Sequence, residues 1–236
     1  MENTEQPFQD IDTIARRILR EGAEPAAKTQ GEERRQSLML AAYHLIAEGG
    51  LERLRTRQVA ERAGVNIATL HYYFASKEDL IRGVVEYLLR QFMTAYLPGS
   101  SQPMSTPLEQ IRGELKEMQY LLEEKPEMFI VLNELMLRSL HDPAIHQMME
   151  WLTTGWHGYL EQVLSRGKEQ GLFRADLEPD SGATWLILLI KGTTLHAMTN
   201  PGAIDFDRLR AEVERWLTGD SEPSRVLYDK DKSSFT

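Results

Sequence analysis

The chain has 236 residues, 42% of them hydrophobic, which is enough for one or two domains with a sizeable core. A net charge of −9, from 27 Lys+Arg and 36 Asp+Glu, excludes a nonspecific polycation. The absence of cysteine rules out disulfides, thiolate metal sites and cysteine nucleophiles, and suits a reducing cytoplasm.

Residues Met1 to Asp10 are polar and acidic, unlike a signal peptide. Ile11, Ile14, Ile18 and Leu19 then recur at helical spacing with Arg16, Arg17 and Arg20 between them. This segment reads as an extra amphipathic helix, a basic arm or a frayed extension. The breaker Glu21-Gly22-Ala23-Glu24-Pro25 that follows favours the extension. Thr29 and Glu32 have capping-box spacing, and a first helix runs from there to Gly49-Gly50, with Leu38, Ala41, Ala42, Leu45 and Ile46 facing inward.

Residues 56 to 80 carry the most information. A short helix with Val59, Ala60 and Ala63 inside is expected to be capped by Thr56 and ended by Gly64. Asn66 can cap a second short helix, in which Ile67 and Leu70 can pack inward and Thr69, His71 and Tyr72 point elsewhere. Ser76 and Asp79 open a further helix. The layout is a helix-turn-helix, in which one helix braces and the next enters the DNA major groove. From Arg34 to Lys77 the basic residues Arg34, Arg35, Arg53, Arg55, Arg57, Arg62 and Lys77 outnumber Glu48, Glu52 and Glu61. The local charge is therefore opposite in sign to that of the whole chain, and repulsion keeps the acidic remainder off phosphates while the basic module docks.

The run Val65-Asn66-Ile67-Ala68-Thr69-Leu70-His71-Tyr72-Tyr73-Phe74-Ala75-Ser76-Lys77-Glu78-Asp79-Leu80 resembles the TetR family of bacterial transcription regulators, and the match extends from about Arg34 to Leu89. His71 departs from the pattern, standing where many members carry tyrosine. The resemblance implies a dimer placing one recognition helix in each major groove of a palindromic operator. Thr56, Tyr72, Tyr73 and Lys77 are then expected on phosphates, and Arg57, Thr69 and His71 at base edges. Ile67 and Ala68 are expected near thymine methyls, with Arg55 and Asn66 completing the DNA-facing set.

The fourth helix, Lys77 to about Tyr96, carries Leu80, Ile81, Val84, Val85, Leu88 and Phe92 at helical spacing, and the Pro98–Pro107 stretch is a linker. Helices follow over 108–125, 126–140, 144–170, 180–198 and 205–217, and no strand pattern is present. The fold class is therefore all-α: an N-terminal extension (1–30), a helix-turn-helix module (31–76), a helical ligand-binding and dimerisation domain (77–218) and a tail (219–236). The 180–198 helix is apolar nearly all round, which demands cover on both sides. With the one-sided 205–217 helix it makes a two-fold four-helix interface, as the resemblance also implies, with Leu188, Leu189, Phe206, Leu209, Val213 and Trp216 as the contact residues.

Met118, Leu122, Met128, Phe129, Leu132, Met136, Met148, Trp151, Trp156, Tyr159 and Trp185 fall on segments lining a bundle interior. They fill the core or surround an adaptable apolar cavity for a small hydrophobic ligand, with His157 and Lys191 available to orient it. Catalytic and metal readings fail on spacing. His157 lies too far along its helix from His146 and Glu150 to share an ion with them, and no phosphate-cradling loop or nucleophile motif is present. No cofactor and no enzyme activity are expected. The longest apolar stretch, Ala183 to Ile190, is too short to span a bilayer. The reading is a cytoplasmic, ligand-released repressor. Its alternative is a regulator with a filled body, controlled by a partner protein.

Overall fold

The structure, a computed structural model, describes residues 29–96 and 106–219, the side chains of 92–96 excepted. The expected features at 1–28, residues 98–105 of the expected Pro98–Pro107 linker and the tail beyond Gly219 lie outside the described residues, as does the Phe92 side chain, while Thr106 and Pro107, read as the linker's end, cap and start a helix. Among the described residues there are nine α-helices and no strand. They are α1 (Gln30–Gly49), α2 (Thr56–Arg62), α3 (Ile67–Tyr73), α4 (Lys77–Tyr96), α5 (Pro107–Glu124), α6 (Pro126–Ser139), α7 (Pro143–Glu169), α8 (Pro179–Thr199) and α9 (Phe206–Thr218). The helix ends expected after residue 100 fall within a residue of those observed. The chain divides into two compact units, Met1–Ser101 with Ile130–Leu152, and Gln102–Phe129 with Thr153–Thr236, so α6 and α7 contribute to both.

In the first unit, side chains close the helix starts as their spacing predicts. The Thr29 hydroxyl accepts the Glu32 N–H, and the Glu32 carboxylate accepts the Thr29 N–H at 2.8 Å. Ser76 and Asp79 do the same for α4, at 3.1 and 3.0 Å. Each such cap supplies partners for amides that the helix itself leaves unpaired. Gly64, at φ +67, ends α2 in the left-handed region, and the Val65 N–H returns to the Ala60 carbonyl at 2.9 Å. Leu38, Ile46, Leu54, Val59, Leu70 and Leu80 form the fully buried centre. Glu86 is buried beside them and is held by Arg35 at 2.8 Å and Arg90 at 3.0 Å, so its charge is paired from two sides.

In the second unit, α5, α8, α9 and the later part of α7 enclose Ile111, Leu115, Leu164, Leu186, Val213 and Leu217. Arg112 on α5 grips Glu214 on α9 with two parallel bonds of 2.7 Å. This is the bidentate fork that a guanidinium and a carboxylate favour. After α7, the Leu172 and Phe173 amides return to the Gly167 carbonyl at 2.9 and 3.1 Å and lay the Phe173 ring over Gly167. A Cβ at Gly167 would stand 2.0 Å from that ring.

Candidate nucleic-acid interface

The outward surface of unit 1 is built by three short connections. Gly50, at φ +75, leads from α1 into a 3-10 turn, Leu51–Arg53, and Leu54 then anchors the chain in the core before α2. Thr56, expected to cap α2, is instead its first residue. The cap position is Arg55, in extended backbone, with no side-chain bond into the helix. The Arg55 guanidinium turns back and donates to the Glu52 carbonyl at 2.7 Å and the Leu54 carbonyl at 3.2 Å, bracing the turn. Arg57, one residue along, is exposed and Thr56 half-buried.

At the start of α3, the Asn66 side chain accepts the Thr69 N–H at 2.8 Å and the Thr69 hydroxyl at 3.0 Å. Asn66 is therefore a cap first, and the Thr69 oxygen keeps its acceptor capacity for an incoming donor. Leu70 is fully buried, but Ile67 is 41% exposed and does not pack inward as its spacing with Leu70 allowed. With Ala68, His71 and Tyr72, the last 82% exposed, Ile67 makes up the open face of α3. Tyr73 is half-buried, set edge-on to Tyr72 with ring centroids 5.0 Å apart, and its hydroxyl lies against Gly31 at the amino end of α1. Lys77 donates to the Leu51 carbonyl at 3.2 Å, which leaves two of its three hydrogens for other acceptors. α2, α3 and the start of α4 thus offer arginine, hydroxyl, imidazole, ammonium and small apolar groups, the mixture that reads base edges and holds phosphates.

The sequence-selected body residues are not gathered in one unit. Leu132, Met136, Met148 and Trp151 belong to unit 1, while Met118, Leu122, Met128, Phe129, Trp156, Tyr159 and Trp185 belong to unit 2. Met118 is buried in the second core, with Leu122, Trp156 and Tyr159 packed against it. Burial there pushes the Tyr159 phenol up to about 12. The Trp156 indole N–H is buried without a hydrogen-bond partner. Lys191 reaches the Thr153 hydroxyl at 3.5 Å, and burial lowers its pKa. Trp185 departs from the interior expected for it. It lies 38% exposed on the outer side of α8, stacked on Trp216 with ring centroids 4.2 Å apart. His157, set aside as a ligand with His146, comes near Glu161 and Asp180 instead, and its Nε2 already faces the Asp180 carbonyl and Thr184 hydroxyl at 3.1 Å each.

Of the residues expected at a two-fold interface, Leu188 is 64% exposed and Leu189, Phe206 and Trp216 are half-buried. Leu209 and Val213 are buried in the protomer's own core and are not surface residues, because the inner stripe of α9 faces α5. The outer face of α8 presents Trp185, Leu188 and Leu195. Leu195 was not singled out from the sequence, although it lies seven residues, two helical turns, from Leu188.

A basic helix-turn-helix carried by an all-helical chain defines a DNA-binding regulator, and comparison with known proteins assigns the family. The model for bacterial regulatory proteins of the tetR family matches residues 38–84, and that for the C-terminal part of BetI-type transcriptional repressors matches 107–219. The regulator PksA of Bacillus subtilis is 24% identical over 190 residues, covering 77% of this chain and 87% of the relative. The repressor KstR of Rhodococcus jostii is 32% identical over 127 residues, covering 54% of this chain and 56% of the relative. A TetR regulator from Haloarcula marismortui has the same fold, with a TM-score of 0.69 at 20% identity over 79% of this chain and 97% of its own. So does a transcriptional regulator from Saccharomonospora viridis solved in complex with choline, with a TM-score of 0.64 at 24% identity over 78% and 95%. The chain belongs to the TetR family of DNA-binding transcriptional regulators. Its relatives are regulators rather than enzymes, and among the described residues no helix is long and apolar enough to cross a membrane.

Proposed function

We propose that the protein is a cytoplasmic repressor that binds a pseudo-palindromic operator as a homodimer and is released by a small apolar or amphipathic molecule. The exposed face of α3 carries this reading: a recognition helix whose inward residue is Leu70 and whose open side is Ile67, Ala68, His71 and Tyr72. In this reading Arg57, Thr69 and His71 meet base edges, Ile67 and Ala68 meet thymine methyls, and Thr56, Tyr72, Tyr73 and Lys77 hold phosphates. Arg55 and Asn66 support that surface by bracing the turn and capping α3. The exposed apolar face of α8 supports the dimer, since such a surface is costly to leave in water.

The buried, unpartnered indole N–H of Trp156 and the half-buried Lys191 support a ligand with an apolar body and a hydrogen-bonding end, held in unit 2. A small-molecule ligand is also supported by the Saccharomonospora viridis regulator of this fold, which was solved in complex with choline, a small cation. Release requires only that the ligand prefer the non-binding conformer by about 1–3 kcal/mol. The test is a panel of fatty acids, bile acids, aromatic cations and choline. Each is scored for thermal stabilisation of the free protein and for loss of occupancy on a duplex the protein has selected. At least one class should do both. If none stabilises the fold, the ligand reading fails and control by a partner protein replaces it.

A further inference from the structure

The turn between α1 and α2 is held from two sides, both within unit 1. The Leu51 N–H donates to the Glu134 carboxylate of α6 at 2.9 Å, and the Leu51 carbonyl accepts the Lys77 ammonium at 3.2 Å. Gly50 precedes this peptide at φ +75, a conformation open to glycine, and a Cβ there would stand 3.2 Å from the nearer Glu134 oxygen. The carboxylate therefore closes directly over the turn. The first N–H of a helical turn has no partner within the turn itself, so Glu134 provides one, and its charge strengthens the bond. Two longer ion pairs join the same part of α6 and the start of α7 to α4: Arg138 with Glu78 at 4.0 Å, and Asp142 with Arg82 at 3.8 Å. These are weaker and lie further along, on α4. Of these three side chains, Glu134, Arg138 and Asp142, it is Glu134 that bonds the turn leading into α2.

We propose that Glu134 is a positioning residue for sequence reading. It fixes the Leu51–Arg53 turn and so sets where Arg55, Thr56 and Arg57 meet DNA. The inference rests on the proposed docking of α2 and α3. The side chain has two effects of opposite sign. Its hydrogen bond orders the surface that discriminates among sequences. Its negative charge opposes every phosphate backbone alike. Losing the bond should therefore reduce the distinction between operator and random DNA, rather than weaken all binding together. A residue that only stabilised the fold would do neither selectively.

The experiment uses the full chain, the duplex that the native protein selects from a random pool, and a scrambled duplex of the same composition. Dissociation constants for both are measured by fluorescence anisotropy, with urea unfolding in parallel. Glu134→Ala should weaken the selected duplex about tenfold, the scale of one hydrogen bond to a charged group, while the scrambled duplex binds as tightly as before or tighter. Glu134→Asp keeps the charge but withdraws it by one methylene, and should lose selectivity like alanine. Glu134→Gln keeps an oxygen for the Leu51 N–H and should preserve most of the selectivity. Native-like selectivity in both the alanine and aspartate variants overturns the proposal. So does equal weakening on both duplexes that follows lost stability. A native protein that selects no duplex removes the docking reading as well, and is recognised before any variant is made.

Discussion

In the proposed docking, Arg57 and Lys77 separate the two kinds of contact that a DNA-binding surface makes. Arg57 is exposed on α2, while Lys77 starts α4 and is already tied to the Leu51 carbonyl. Lys77→Ala should lower the slope of log affinity against log salt by about one unit on selected and random duplexes alike. Arg57→Ala should cost about 1–3 kcal/mol on the selected duplex and relax preference at one position in each half-site. Equal losses on both duplexes for Arg57→Ala would remove it from the base-reading set. The caps at this scale were legible because their partners lie three residues apart: Thr29 with Glu32, Asn66 with Thr69, Ser76 with Asp79. The side of Ile67 was not, because α3 has seven residues, too few turns for periodicity to choose between two adjacent positions. Glu134 was invisible for a different reason. Its partner is 83 residues away, and no local pattern marks a carboxylate as the acceptor of a distant amide.

Helix boundaries were legible because proline, glycine and capping residues punctuate this chain closely, from Thr106-Pro107 to the left-handed Gly219. What a stripe faces was less legible. In α9, Leu209 and Val213 have the spacing of an interface and of a core equally, and only packing against α5 decides for the core. In α8, near-uniform apolarity required two covered sides. The structure divides them, with Ala183, Leu186, Ile187 and Ile190 inside and Trp185, Leu188 and Leu195 outside. The exit of α7 provides a test of packing at this scale. Gly167→Ala would place a methyl 2.0 Å from the Phe173 ring, so either the ring or the turn must move. Urea unfolding should show a loss of about 1–3 kcal/mol, the usual cost of overpacking a filled site. An unchanged midpoint would mean that the Phe173 ring does not rest on Gly167.

At the scale of the whole molecule, the proposed function couples DNA recognition to assembly, since a two-fold operator requires a two-fold protein. Leu188 is the sharpest probe of assembly because it is 64% exposed in the protomer, so Leu188→Glu leaves the core of unit 2 intact. The variant should sediment as a folded monomer, whereas the native chain should be a dimer at micromolar concentration. A glutamate buried between protomers would carry an unpaired charge. Native sedimentation as a monomer would remove the role proposed for the outer face of α8. The central claim, that two copies of α3 read successive major grooves, is tested most directly by selecting duplexes from a random pool with the native protein and sequencing the survivors. The account predicts an enriched pair of inverted half-sites whose centres lie about one helical turn, roughly 10 base pairs, or a multiple of it apart. A single enriched half-site without its inverted copy, or no enrichment at all, would contradict it.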